Sequence, residues 1–165
     1  HEAVHQALLG NGTRLLRADP PTSQELGDIG FKVLHPAAHR ADKYSDNDSS
    51  LVILLEIAGV SFLFMGDAGA GIEKELLKQY GQLLDVEVLV VGHHGSKTST
   101  SQEFLDVVTP LYGVISVGAE NRYGHPHKSV LDRLRENRIQ ILRTDELGSI
   151  RFHITREGDF DIVVR

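Results

Sequence analysis

The chain has 165 residues, close to the usual size of one domain, and its 41% hydrophobic and 24% charged residues are typical of a soluble globular protein. Its formal net charge of -6 argues against a protein that coats DNA with a basic face, and no apolar run approaches the ~20 residues of a membrane-spanning helix. Because cysteine is absent, disulfides and thiolate metal sites are excluded, and imidazoles and carboxylates remain as transition-metal ligands. We predict a single domain over residues 1–165.

The first predicted element is a helix over residues 1–9, with its apolar residues on one face, which ends at a Gly-Asn-Gly turn. No initiator methionine, capping residue or signal-peptide pattern precedes it. We therefore expect the chain to be an N-terminally truncated part of a longer protein. A short strand is predicted at residues 13–17, followed by a loop rich in proline, serine and aspartate.

The rest of the chain alternates apolar strands with amphipathic helices. The predicted strands are residues 31–34, 51–57, 60–65, 86–91, 112–117, 140–143, 149–154 and 160–164, and the predicted helices are residues 70–80, 101–108 and 127 to about 137. Residues 37–50 are polar and are predicted to form a loop. Near-continuous apolar strands are typical of a sheet that is covered on both faces. We therefore predict a layered α/β fold with antiparallel pairs at one end.

Metal-capable side chains follow three of the buried strands. Asp67 follows the strand at residues 60–65, His93 and His94 follow residues 86–91, and His125 lies in the loop after residues 112–117. In layered α/β sheets, ligands bind beyond the carboxyl ends of the strands. If the three loops converge, they form a candidate site.

Each of these residues also has a simpler structural explanation. Asp67 could cap the helix that follows it, and Thr100 with Glu103 could form a capping box. A histidine pair alone is weak evidence for a metal. Pro126 is explained by a place in the first turn of a helix.

Four sequence blocks, in this order, resemble the metallo-β-lactamase-like domain of the ComEC family of competence DNA-uptake proteins. They are Asn47-Asp48-Ser49-Ser50-Leu51-Val52, Phe62-Leu63-Phe64-Met65-Gly66-Asp67-Ala68, Val91-Gly92-His93-His94-Gly95-Ser96-Lys97-Thr98-Ser99-Thr100 and Asn121-Arg122-Tyr123-Gly124-His125-Pro126-His127. The resemblance runs from about residue 10 to residue 154. It implies the C-terminal portion of a layered αββα fold and a hydrolase that uses two divalent metal ions, zinc or manganese, to cleave phosphodiesters.

The resemblance also implies roles for individual residues. Asp67 matches the aspartate that bridges the two metals and takes part in catalysis, and His125 matches the last histidine ligand. Asn47 falls near a position where many members of the wider superfamily have a histidine ligand; asparagine, common there in ComEC-like members, implies a more weakly held metal and a contact with substrate.

The loop at His94 matches a segment that faces the substrate in the family. The resemblance implies that His94 is catalytic, through proton transfer or phosphate contact, and that His93, Ser96 and Lys97 bind substrate.

The His-x-His-x-Asp-His motif that supplies most of the superfamily's metal ligands does not occur in this chain. Each metal needs three or more ligands, so we expect this part of the domain alone to be inactive and to bind metal weakly or not at all. With the first half of the fold missing, we also expect exposed sheet surface and self-association.

The expected function of the intact domain is hydrolysis of DNA, single-stranded in particular, during competence-related uptake. The implied parent is a bacterial cell-membrane protein whose channel portion adjoins an extracytoplasmic domain, and this part of it should be soluble. One alternative is a secreted or soluble metallo-phosphodiesterase of the phosphorylcholine-esterase type. Another is a non-catalytic module that guides DNA.

Overall fold

The computed structural model describes residues 22–36 and 44–165. The helix predicted at residues 1–9, the strand predicted at residues 13–17 and residues 37–43 of the polar loop lie outside the described residues.

A mixed seven-stranded sheet forms the centre of the described structure. Its strands are β1 (Thr22–Leu26), β2 (Ile29–His35), β3 (Val52–Ile57), β4 (Val60–Phe64), β5 (Val88–Val90), β6 (Tyr112–Ile115) and β7 (Gln140–Arg143), and their order in the sheet is their order in the chain. The pairs from β1 to β4 are antiparallel, and the pairs from β4 to β7 are parallel. Antiparallel pairing at one end of an α/β sheet is what the sequence predicts.

Three helices and a hairpin cover the two faces of this sheet. The helices are α1 (Ala70–Tyr80), α2 (Gln102–Val108) and α3 (Lys128–Glu136), with a short α4 (Thr144–Leu147), and the hairpin consists of β8 (Ile150–Ile154) and β9 (Phe160–Val164). The helices α1 to α3 share one apolar core with the sheet, and the hairpin packs on a second cluster. The predicted layered α/β fold is confirmed.

Both faces of the parallel strands are buried, which explains why their sequences are continuously apolar. Leu63 and Leu89 are fully buried in the core under the helices. Their chain neighbours Phe62 and Val88 belong to the cluster under the hairpin, where the ring centroids of Phe62 and Phe152 lie 5.3 Å apart. Successive side chains point to opposite faces, so a strand covered on both sides must be apolar throughout.

The strand β1 is absent from the sequence prediction. It pairs with β2 through a turn in which Gly27 has a φ of +61°. Ser23, Gln24 and Glu25 are all exposed on this edge strand, so its sequence carries no alternation of apolar and polar residues.

Two predicted helix starts are wrong. The helix α2 is capped by Ser101, whose side chain accepts a hydrogen bond from the amide of Phe104, whereas Thr100 has a φ of +56° and donates its own amide to Glu73. Pro126 does not lie in the first turn of α3, because His127 is the N-cap residue and the helix begins at Lys128.

Within the described residues, no helix is long and apolar enough to cross a bilayer.

Candidate functional site

The loops that follow β4, β5 and β6 meet at one edge of the sheet. These strands are parallel neighbours, so their carboxyl ends lie side by side. The amide of His93, after β5, donates to the carbonyl of Gly66, after β4, at 2.8 Å. The amide of His127, after β6, donates to the carbonyl of Gly95, after β5, at the same distance. The predicted convergence of the three loops is observed.

Close packing at this edge requires glycine at two positions of the loop after β5. A Cβ on Gly92 would lie 2.8 Å from the carbonyl oxygen of Ala68, and a Cβ on Gly95 would lie 2.7 Å from Cβ of Pro126. Gly95 also has a φ of +78°, which disfavours any other residue. Between them, His93 and His94 adopt φ values of 50° and 54°, so the tight turn directs both imidazoles out of the loop.

Asp67 and His94 form a carboxylate–imidazole pair at the centre of the edge. His94 Nε2 lies 3.5 Å from Asp67 Oδ1, and both side chains are partly exposed. His94 Nδ1 lies 2.7 Å from the carbonyl oxygen of Ser116, which can only accept, so Nδ1 carries the proton. In the neutral imidazole, Nε2 is then an acceptor that faces the carboxylate. A proton or a cation between His94 Nε2 and the Asp67 carboxylate would make their interaction attractive.

Asp67 does not cap a helix. The N-cap residue of α1 is Gly69, which makes no side-chain cap hydrogen bond. The backbone amide of Asp67 donates to Ser50 Oγ at 3.0 Å, which fixes the position of the residue and leaves its carboxylate at the edge. The capping explanation for Asp67 is therefore wrong.

His93, His125 and Asn47 extend the pair into a cluster. The ring centroid of His93 lies 5.7 Å from that of His125 and 6.4 Å from that of His94. Asn47 Nδ2 lies 3.4 Å from His93 Nε2, although the two residues are 46 positions apart. Of the predicted site residues, Asp67, His93, His94, His125 and Asn47 are thus brought together.

The imidazole of His125 has an unsatisfied nitrogen. Its Nδ1 is buried without a hydrogen-bond partner among the described residues. Burial lowers the pKa of His125 below 6.5, and the nearby imidazoles of His93, His94 and His127 lower it further. A partly buried imidazole whose pKa is lowered, with one nitrogen that has no partner in the described part of the chain, suits a ligand to a cation or an acceptor for a donor from substrate.

Asn121 holds His125 in place through both backbone groups. Its side-chain oxygen accepts from the His125 amide at 2.9 Å, and its side-chain nitrogen donates to the His125 carbonyl at 2.7 Å. The ring of Tyr123 stacks on that of His125, with centroids 5.9 Å apart and an interplanar angle of 20°.

A cavity of about 440 Å³ opens beside this cluster. Its walls include His94, Ser116, Asn121, Tyr123, His125 and Thr144. Thr144, at the start of α4, closes one wall because its hydroxyl donates to the carbonyl of Val117 at 2.8 Å.

Two predicted substrate-binding residues lie elsewhere in the loop. Ser96 is buried and its hydroxyl lies 3.0 Å from that of Thr98, so it is engaged inside the loop. Lys97 is exposed next to it. Neither lines the cavity, and their roles in substrate binding stay predictions.

A buried polar network fixes the segment between β5 and α2. Glu73 on α1, which is 1% exposed, accepts hydrogen bonds from the amides of Thr100 and Ser101. Arg133 on α3 donates to the carbonyls of Ser99 and Thr100, at 3.1 and 2.7 Å. Ser99 Oγ donates to the carbonyl of Gly92 at 2.7 Å, so the network reaches the turn that carries His93 and His94.

Sequence reasoning missed Glu73, Arg133, Thr144 and Tyr123. Glu73 lies between Ile72 and Leu76 on the buried side of α1, and a charge at such a position was the available signal. Thr144 gives no local signal, because its partner Val117 is 27 positions away.

The donors at this edge fit a divalent metal in chemistry but not in number. A carboxylate and three imidazoles are ligands that zinc and manganese accept. Within residues 22–36 and 44–165, however, no three His, Asp or Glu side chains are placed to hold one ion together. The described residues alone therefore do not form a complete metal site.

Comparison with known proteins identifies homologues of the chain. It is 38% identical over 162 residues to ComE operon protein 3 of Bacillus subtilis, covering 98% of this chain and 20% of that protein. It is 39% identical over 130 residues to competence protein ComA of Neisseria gonorrhoeae, covering 79% of this chain and 18% of that protein. The chain thus spans about a fifth of the length of these curated relatives.

One solved structure, named as a metal-dependent hydrolase from Parabacteroides distasonis, superposes with a TM-score of 0.54 at 12% sequence identity, over 85% of this chain and 61% of that one. At this identity the likeness concerns the fold alone. No protein-family model matches the chain.

Proposed function

Because the chain is homologous along most of its length to one segment of the ComEC-family competence proteins, we propose that it is part of a metal-dependent hydrolase domain that cleaves DNA, single strands in particular, during uptake. We propose that the parent protein lies in the bacterial cell membrane, with this domain on the outer side, next to the channel portion.

The observation that carries the proposal is the pairing of Asp67 with His94 beside the unsatisfied nitrogen of His125. Three strand ends contribute these groups, and within the described residues the Asp67 carboxylate, Nε2 of His94 and Nδ1 of His125 form no hydrogen bond that holds the fold together. Titratable side chains that converge beyond the carboxyl ends of the strands of an α/β sheet are typical of a reacting site.

His94 is suited to move a proton at Nε2. Its Nδ1–H is held by the carbonyl of Ser116, which fixes the tautomer and leaves the Nε2 lone pair free to accept a proton from water. The carboxylate of Asp67, 3.5 Å away, would stabilise the imidazolium that results. The same group could then protonate the departing oxygen of a phosphodiester.

Two divalent ions, zinc or manganese, would offset negative charge on the phosphate when bound. Asp67 and His125 are the proposed ligands within this chain, and the remaining ligands would come from outside the described residues. Such ions would also explain how a chain of net charge -6 acts on a polyanion.

The test is hydrolysis of labelled single- and double-stranded DNA, with zinc or manganese, by this chain and by the longest polypeptide that its gene encodes around it. We expect the longer polypeptide to cut, with single strands preferred. Asp67→Asn should reduce the rate by at least ~100-fold, because it removes charge at the reacting centre without changing shape.

Asp106→Asn is the matched control, because Asp106 is an exposed aspartate on α2 whose side chain contacts Gln102. It should leave the rate within about twofold of wild type. A longer polypeptide that folds and binds metal but does not cut DNA would overturn the assignment of DNA as the substrate.

A further inference from the structure

Tyr123 is an aromatic residue displayed at the rim of the site. Its side chain is 83% exposed, the largest exposed fraction among the large apolar and aromatic residues of the described chain. Burying such a ring on a partner gains free energy, whereas leaving it in water does not. The ring of Tyr123 lies nearly parallel to that of His125, at a centroid distance of 5.9 Å, so it stands directly beside the site.

The adjoining cavity has the size and the lining of a pocket for a small uncharged group. Its volume of about 440 Å³ falls in the range of roughly 300 to 1,000 Å³ that is usual for small-molecule pockets. Among the described residues, no carboxylate, lysine or arginine lines it; its polar side chains are those of Ser116, Asn121, Tyr123, Thr144 and the two histidines. An uncharged planar group suits these walls better than a phosphate does, because the described lining carries no lysine or arginine and the side chains of Asn121 and Thr144 already bond to backbone groups.

The position of the cavity relates it to the reacting groups. His94 and His125 line it and also belong to the cluster with Asp67. A nucleotide whose phosphate lies at the cluster would therefore place its base toward the cavity and Tyr123.

We propose that Tyr123 and this cavity form a subsite for one unpaired nucleobase next to the phosphate at the Asp67–His94 pair. The inference rests on the proposed function and deepens it, because a stacking platform selects single strands. A base in a duplex is already stacked and paired, and it would have to be extruded at a cost before it could reach the ring. Stacking on an aromatic side chain tolerates any base, so the subsite would not be sequence-specific.

The test is equilibrium binding of a labelled single-stranded DNA oligomer and of an abasic oligomer with the same backbone, measured by fluorescence anisotropy on the full chain. Wild type should bind the base-bearing oligomer roughly 5- to 150-fold more tightly, as expected for one stacked base. In Tyr123→Ala, the ratio of the two affinities should fall toward one, whereas Tyr123→Phe should keep it. Because Tyr123 is exposed, the substitutions should not unfold the protein, and circular dichroism would check this.

Leu111→Ala is the matched control, since Leu111 is 60% exposed but lies at the opposite end of β6, and it should keep the wild-type ratio. Equal binding of both oligomers by wild type, or an unchanged ratio in Tyr123→Ala, would overturn the subsite. The binding assay needs no cleavage, so a protein that discriminates bases but cuts nothing retains the subsite and refutes the hydrolase.

Discussion

At the scale of single residues, the site depends on hydrogen bonds that fix each site residue and leave its functional atom unused. The carbonyl of Ser116 fixes the tautomer of His94, Asn121 holds the backbone of His125, and Ser50 holds the amide of Asp67. In each case the functional atom is not used by the fold. Side chains that the fold does not need are the ones that can change partner during a reaction.

Gly95 is the residue on which the contact between two site loops depends. In Gly95→Ala, the new methyl group would meet Pro126 at 2.7 Å, at a φ of +78° that alanine disfavours. We expect a loss of about 2 to 3 kcal/mol in the free energy of unfolding, measured by urea denaturation. Gly71→Ala is the control, because nothing lies within 4 Å of that position in α1 and the change should be neutral or slightly stabilising. Equal stability of the two variants would contradict the close contact.

At the scale of elements, α1 and α3 brace the loop that carries the histidines. The carboxylate of Glu73 satisfies two amides, and the guanidinium of Arg133 satisfies two carbonyls of the same segment. These amides and carbonyls lie outside the strands and helices, so side chains must form their hydrogen bonds.

Removing the Glu73 carboxylate should leave the amides of Thr100 and Ser101 without a hydrogen-bond acceptor. We expect Glu73→Ala to reduce the free energy of unfolding by about 2 to 5 kcal/mol and Glu73→Gln by less, because one amide oxygen can still accept. Lys74→Ala, at an exposed position of the same helix, should change it by less than about 0.5 kcal/mol. If all three variants unfold at the same urea concentration, Glu73 does not brace the loop.

A pH-sensitive contact joins Ser61 on β4 to Glu87, the residue directly before β5. Burial alone would raise the pKa of Glu87, but hydrogen bonds from the hydroxyl and the amide of Ser61 outweigh it and hold the pKa below 4.5. Since the folded-state pKa is the lower one, this contact stabilises the fold above pH 4.5 and is lost as the pH falls through the folded-state value. Glu87→Gln should therefore lose less stability than wild type between pH 6 and about pH 3.

Thermal unfolding across that pH range would measure the difference. Glu103→Gln, at an exposed position of α2, controls for the loss of one carboxylate and should follow wild type. Parallel curves for Glu87→Gln and wild type would show that the Ser61 contact does not depend on pH.

Elements with a strong period in the sequence could be predicted, and those without one could not. The helix α1 and the strands β7 and β9 have the predicted bounds, because their apolar pattern and their flanking turns coincide. The edge strand β1 has no such pattern, since Ser23, Gln24 and Glu25 are all exposed. The spacing of Thr100 to Glu103 predicts a capping box, but the Thr100 amide donates instead to the distant carboxylate of Glu73.

At the scale of the whole molecule, the site follows from topology. Parallel neighbours β4, β5 and β6 deliver their loops to one edge, so Asp67, His94 and His125 could be grouped from the sequence alone. The cavity could not, because its walls join residues of the β6 loop to Thr144 after β7, a pairing that no local pattern encodes.

The central claim is that this edge is a metal-dependent hydrolytic site. The two histidines on either side of Pro126 offer the most direct test. The measurement is DNA hydrolysis by the longest encoded polypeptide, after chelation and after metal is added back, in His125→Asn and His127→Asn. His127 caps α3, and asparagine preserves a cap, so this variant should match wild type within a few-fold. His125→Asn should lose ~100-fold or more, and chelation should abolish the activity of wild type. Equal rates in the two variants, or hydrolysis that persists without metal, would contradict the account.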